Sequence, residues 1–154
     1  MDNKIFLKAC NFCVYQERTQ DEIRNRLKEW QAYGDEAEEI ITKLIVENFI
    51  NEERFAKTYA GSKFRVKKWG KRKILQELKF KRLSPYCIKK GLQEIDDDEY
   101  YLVLQALLHK KIHALRSETN GFIRKQKAAL YAARKGYESQ IIWEILENID
   151  LTKE

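Results

Sequence analysis

A single proline, Pro85, and six glycines interrupt a chain otherwise dominated by Leu, Lys, Glu, Arg, Ala and Gln. Those six residue types give up least on entering a helix, whereas a helix interior hardly tolerates Pro. Long helical runs follow, strands have nowhere to sit, and the expected class is all-α. At 154 residues a chain can bury about two-thirds of its unfolded surface, enough for one domain spanning 1–154. Charged residues make up 35% of the chain, more than a core accepts, so the surplus must lie on solvated faces.

The apolar spacing divides this helical chain into three similar units. Ile5, Phe6, Ala9, Cys10 and Cys13 form the stripe of a first helix. Thr19 with Glu22 is a capping-box pattern opening a second, which carries Ile23, Leu27 and Trp30. Gly34 suits the left-handed position that stops it, and Asp35 with Glu38 caps a third, striped by Ala37, Ile40, Ile41, Leu44 and Ile45. The order then recurs. Asn51 opens a helix with Phe55, Ala56, Tyr59 and Ala60; a short one after Trp69-Gly70 buries Ile74, Leu75 and Leu78; Ser84-Pro85 starts another with Ile88 and Leu92. Asp96 to Glu99 sets four acids at the positive end of a long helix with Leu104, Leu108, Ile112 and Leu115. A following helix carries Ile123, Leu130 and Ala133 up to Gly136, and the last carries Ile142, Ile145 and Leu146. Ile40/Leu44, Ile88/Leu92 and Ile142/Leu146 fall in register at intervals of 48 and then 54 residues. The expectation is three tandem three-helix units, approximately 3–49, 50–95 and 96–150, about nine helices in all, stacked into an elongated curved rod.

The candidate chemistry is sparse. Cys10 and Cys13 have the spacing of half a zinc site, but they lie inside a helix with no second ligand pair, and core packing is the expected role. His109 and His113 lack the glutamate of a zincin helix, whose place Lys110 takes. Asp96 to Glu99 lacks the alternation and glycine of a calcium loop, which leaves helix capping. No phosphate loop, nucleophile elbow or triad is present, so no enzyme activity, cofactor or metal is expected. No apolar run is long enough for a signal peptide or a membrane span, and three cysteines do not make an extracellular disulfide framework; a cytoplasmic protein is expected.

Charge is the informative feature. The net charge is +6, and it is segregated: Lys63 to Lys90 holds twelve Lys or Arg against one acid, Glu77, whereas Asp35 to Glu53 holds seven acids and one Lys. Lys67, Lys68, Lys71, Arg72 and Lys73, with Trp69 among them, straddle a helix junction that offers cations and helix-start amides to a phosphate chain. Trp69 either plugs the junction or stacks on an unpaired base. A second basic stretch, Arg116, Arg124, Lys125, Lys127, Arg134 and Lys135, extends the surface onto the third unit, with Arg124, Lys125 and Lys127 as its main contact.

Three stretches together resemble the RecX family of RecA regulators over roughly residues 18–149. They are Arg18-Thr19-Gln20-Asp21-Glu22-Ile23 followed by Leu27; Ile50-Asn51-Glu52-Glu53-Arg54-Phe55-Ala56 with Gly70, Ile74 and Glu77-Leu78; and Leu130-Tyr131-Ala132-Ala133-Arg134-Lys135-Gly136-Tyr137 with Ile141 and Ile142. Asn51 stands where the family usually has Asp, and Phe80-Lys81-Arg82-Leu83 replaces a glycine-containing turn. The resemblance implies a protein lying in the groove of the RecA nucleoprotein filament, touching recombinase and single-stranded DNA, and suppressing strand exchange, ATPase and coprotease activities. A monomer is the expected state. The residues alone also admit a helix-turn-helix regulator that reads duplex DNA and a helical-repeat scaffold that binds only protein.

Overall fold

The computed structural model describes residues 3–153. Among them are nine α-helices and no strand: α1 (Asn3–Tyr15), α2 (Gln20–Glu29), α3 (Gly34–Val46), α4 (Glu52–Lys67), α5 (Lys71–Phe80), α6 (Pro85–Leu92), α7 (Asp97–Ala114), α8 (Gly121–Lys135) and α9 (Ser139–Glu147), closed by a 3-10 turn (Leu151–Lys153). The all-helical class follows the residue usage directly.

Local chemistry sets most of the helix starts. The Thr19 hydroxyl accepts the Glu22 amide at 3.1 Å, the Asn51 side chain accepts Arg54 N–H at 2.9 Å, and Asp96 accepts Glu99 N–H at 2.9 Å. Ser84 accepts Cys87 N–H at 3.1 Å ahead of Pro85, each satisfying an amide that the helix itself leaves unpaired. Only half of the capping box at Thr19 forms, because the Glu22 carboxylate lies 3.7 Å from the Lys81 ammonium.

The second helix of each three ends in the same way. Gln31, Arg82 and Gly136 take left-handed conformations (φ 64°, 65° and 105°). The next amide then reaches back to the helix: Ala32 to the Leu27 carbonyl at 2.8 Å, Leu83 to Leu78 at 3.4 Å, Tyr137 to Ala132 at 3.2 Å. This is the Schellman closure, and the residue after each left-handed position is buried. The expectation at Gly34 and Asp35 needs correcting. Gln31 stops α2, whereas Gly34, also at positive φ, begins α3 behind Tyr33; Asp35 therefore sits in the first turn instead of capping it.

By spatial contact the chain falls into two compact units. One takes the chain up to Tyr59 with Leu78–Gly91; the other takes Ala60–Glu77 and the chain from Leu92 onward. The first is built on Phe6, Ala9, Cys10, Cys13, Ile23, Leu27, Ile40 and Leu44, with Phe12 and Trp30 packed at its edge. Within it Arg54 donates to the Glu17 carboxylate at 2.7 Å and to the Asn48 carbonyl at 3.2 Å. α6 meets α4 closely enough that a Cβ on Gly91 would stand 2.8 Å from that of Ala56.

The second unit buries Phe64, Ile74, Leu104, Leu108, Ile112, Ile142, Ile145 and Leu146. Here the face of α8 differs from the sequence reading. Ile123, Leu130 and Ala133 point outward, and the buried residues are Arg124, Ala128, Ala129 and Ala132. Three alanines allow close approach to the neighbouring helices, and the long apolar side chains are left in solvent.

Candidate nucleic-acid interface

The basic junction lies wholly in the second unit, and its backbone is tightly specified. α4 ends where Lys68 enters the left-handed region (φ 57°), and Trp69 N–H returns to the Lys63 carbonyl at 3.2 Å. The chain then docks on the turn between α8 and α9. Gly70 N–H donates to the Lys135 carbonyl at 2.8 Å and Arg72 N–H to the Gly136 carbonyl at 2.9 Å. Lys71 N–H donates to the Tyr100 hydroxyl at 2.9 Å, which in turn donates to the Glu138 carboxylate. From the other side the Tyr137 hydroxyl donates to the Lys68 carbonyl at 2.9 Å and the Lys135 ammonium to the Lys67 carbonyl at 3.2 Å. Burial and the adjoining Glu138 push both the Tyr100 and Tyr137 phenols above their ordinary range, so they remain protonated donors.

This overturns one expectation. The amides of Gly70, Lys71 and Arg72 at the start of α5 are all taken by protein acceptors, so the helix start does not offer them to a phosphate. What the junction offers is cations on a fixed turn. Lys67, Lys68 and Arg72 are exposed, and Lys73 is half-buried. Lys71 differs from these in pairing with Asp97 at 3.0 Å and lying 4.7 Å from the Tyr100 ring centroid.

Trp69 is half-buried, with the Lys73 ammonium 4.4 Å and the Lys63 ammonium 5.0 Å from its ring centroid. Cation–π attraction of this kind draws charge toward the indole and limits where the two lysines can go.

Lys135, expected in the second basic stretch, is brought by folding into this first group. Its ammonium is held below the usual lysine range first by desolvation and then by the Lys73 and Lys68 charges. Lys111 and Lys135 also approach the Tyr131 ring, at 4.9 and 5.8 Å from its centroid. A left-handed glycine and a buried tyrosine follow Lys135 directly and seat it beside the Lys67–Lys68 turn.

The second basic stretch does not hold together as one surface. Arg124 is only 6% exposed, and its guanidinium donates twice to the Ile112 carbonyl, at 3.0 and 2.6 Å. It thus caps the last turn of α7, a role hidden in the sequence because the carbonyl belongs to another helix. Lys127 is exposed and pairs with Glu118 at 3.3 Å; Lys125 is half-buried.

Cys10 and Cys13 are free and buried. Desolvation pushes the Cys13 thiol up to about 11, which keeps it a poor metal ligand or nucleophile at neutral pH. His109 is half-buried and His113 exposed on α7.

Comparison with known proteins gives one consistent answer. Residues 51–92 match the family model described as RecX, second three-helix domain, and residues 97–146 match RecX, third three-helix domain. The chain is similar to the regulatory protein RecX of Lactobacillus gasseri, 28% identical over 153 residues, covering 99% of this chain and 56% of that one. To the regulatory protein RecX of Bacillus velezensis it is 28% identical over 148 residues, covering 96% and 56%. It thus spans just over half the length of these curated relatives. The crystal structure of RecX from Lactobacillus salivarius superposes with a TM-score of 0.87 at 24% identity, covering 97% of this chain and 96% of that one. A second crystal structure, of regulatory protein RecX, gives 0.84 at 22% identity, over 96% and 71%.

Proposed function

The chain belongs to the RecX family of regulatory proteins, and from that premise we propose that it binds the RecA filament on single-stranded DNA and restrains its recombinase activity. In this reading the chain acts in the cytoplasm; among the described residues no helix is long and apolar enough to cross a membrane. Lys67, Lys68, Arg72 and Lys73 meet the DNA backbone, with Lys135 beside them. Trp69 and Lys71 shape the junction, and Lys125 and Lys127 give a weaker second contact. Arg124 drops out of the contact set because it is buried.

The observation that carries this reading is the crowding of cations on a turn that cannot relax. Burial first, and then repulsion from Lys73 and Lys68, hold the Lys135 ammonium below the usual lysine range. The turn is fastened through Gly70, Arg72 and Tyr137, so the lysines do not escape by moving the backbone. A phosphate chain placed across them removes the repulsion and releases its own counterions, a gain that depends on salt.

The test is RecA-catalysed ATP hydrolysis on single-stranded DNA, titrated with this protein and with a variant in which Lys67, Lys68, Arg72 and Lys73 are Ala. Suppression by the wild type and its loss in the folded variant support the proposal. No effect of the wild type on a cognate filament overturns it, and equal competition by duplex DNA redirects it to a duplex-binding regulator.

A further inference from the structure

The corner that ends α5 holds an aromatic ring in solvent among cations. Phe80, the last residue of that helix, is 84% exposed, and Lys79, Lys81 and Arg82 flank it. The fold exposes this position whatever residue fills it. Two residues before the left-handed positions Gln31, Arg82 and Gly136 stand Glu29, Phe80 and Arg134, and all three are exposed. The first and third corners carry a charge there, which water solvates. The middle corner carries a phenyl ring that contributes little to its own core, since a ring stabilises a fold by leaving water.

The mount of this ring is fixed. Arg82 N–H returns to the Lys79 carbonyl at 2.9 Å, and Leu83 is buried directly behind the turn. The corner docks on the start of α2, with the Lys81 ammonium 3.7 Å from Glu22 and Arg82 3.6 Å from Asp21. Lys81 also lies 5.8 and 5.3 Å from the Phe55 and Tyr59 ring centroids, so its stem is held inside the unit.

Phe80 borders an open cleft of about 470 Å³ that Arg24, Asn25 and Lys28 of α2 also line, and it is the one apolar residue of that lining. Arg24 is taken by Asp21 at 2.9 Å and Glu38 at 2.7 Å. The closer contact of Asp21 therefore goes to Arg24, and the cations left to a ligand are Lys28, Lys79 and Arg82, all exposed.

A single ring with cations on its flanks fits a ligand that is itself a flat ring joined to a phosphate. An apolar protein face would bury these charges without partners, which is costly. Duplex DNA keeps the faces of its bases stacked on one another. A single strand presents both an open base face and a phosphate at every nucleotide.

We propose that the α5–α6 corner is a base-stacking subsite, in which Phe80 stacks on an unpaired base of single-stranded DNA and Lys28, Lys79 and Arg82 meet the adjoining phosphates. The subsite rests on the single-strand reading given above and adds to it a contact made by the first unit. It also adds a different kind of contact: the basic turn neutralises phosphates, whereas Phe80 depends on the bases.

The experiment is fluorescence anisotropy of a labelled oligothymidine and of an abasic strand with the same number of phosphates. Each is titrated with wild type, Phe80→Ala, Phe80→Trp and the variant with Lys67, Lys68, Arg72 and Lys73 as Ala. Phe80 is exposed, so its variants are expected to fold, and circular dichroism checks this. Phe80→Ala is expected to bind the oligothymidine roughly five- to a hundredfold more weakly than wild type and the abasic strand equally well. Phe80→Trp, with the larger ring, binds the oligothymidine at least as tightly as wild type. The basic-turn variant loses affinity for both strands alike, which scores that reading separately. Equal binding of oligothymidine by Phe80→Ala and wild type overturns the subsite and leaves the basic turn standing. A loss in Phe80→Ala that is the same on both strands overturns it too, because the ring would then act without the bases. A wild type that binds neither strand overturns the subsite and the single-strand reading together.

Discussion

Gly70 lies against Gly136 so closely that neither has room for a side chain: a Cβ on Gly70 would stand 2.2 Å from the Gly136 carbonyl carbon. The obstacle is backbone, which cannot rotate away. Gly70→Ala is therefore expected to cost about 3 kcal/mol or more, at the upper end of overpacking effects. It should also weaken DNA binding, because the Lys67 to Lys73 turn is seated through this contact. Urea unfolding with a parallel DNA-binding titration checks both; a neutral Gly70→Ala would mean the two turns do not meet.

Arg82→Gly is expected to act in the opposite direction. Arg82 is a non-glycine in the left-handed region, its side chain is 81% exposed, and its ion pair with Asp21 spans 3.6 Å. Relief of the left-handed cost outweighs the unfolded-state entropy of glycine by about 1 kcal/mol. The midpoint of chemical denaturation should rise without a change in slope.

Arg124→Ala separates a structural arginine from a DNA contact. It removes two charge-assisted hydrogen bonds from the Ile112 carbonyl, and a loss of about 2 to 3 kcal/mol is expected. Per folded molecule, suppression of RecA hydrolysis should be unchanged. A loss of suppression with unaltered stability would return Arg124 to the contact surface.

The contribution of the basic turn is measurable as a salt slope. With Lys67, Lys68, Arg72 and Lys73 as Ala, the dependence of log affinity on log salt for single-stranded DNA should fall by roughly 0.7 for each phosphate contact removed. An unchanged slope would place the phosphate contacts elsewhere.

Cys13 gives a pH dependence whose sign is fixed by its burial. Burial raises its folded pKa above the ordinary thiol value of 9.0 to about 11. Between these values the unfolded chain has lost the proton and the folded one has kept it, so stability falls as pH rises through that window. The full loss, above the folded value, is about 2 to 3 kcal/mol. Comparison of denaturant unfolding in wild type and Cys13→Ala from neutral to strongly alkaline pH isolates this thiol, since the variant lacks that part of the decline.

Which features the sequence revealed depends on how far apart the interacting groups lie. Thr19, Asn51, Ser84 and Asp96 each bond an amide three residues along, and local spacing is enough to assign them. The amides at the start of α5 look available in the sequence because their acceptors, Lys135, Gly136 and Tyr100, are supplied by distant turns and helices. Arg124 reads as a surface cation for the same reason, and the apolar spacing of Ile123, Leu130 and Ala133 points to the wrong face of α8. Gln31 carries no local signal of a helix stop, whereas Gly34, three residues later, satisfies the usual preference.

The compact units divide between Tyr59 and Ala60, between Glu77 and Leu78 and between Gly91 and Leu92, that is, inside α4, inside α5 and at the last residue of α6. Packing and repetition are thus out of phase in the middle three helices, whose residues are shared between the two cores. A gene fragment that begins at the third repeat leaves behind Phe64 and Ile74 and so inherits an incomplete core.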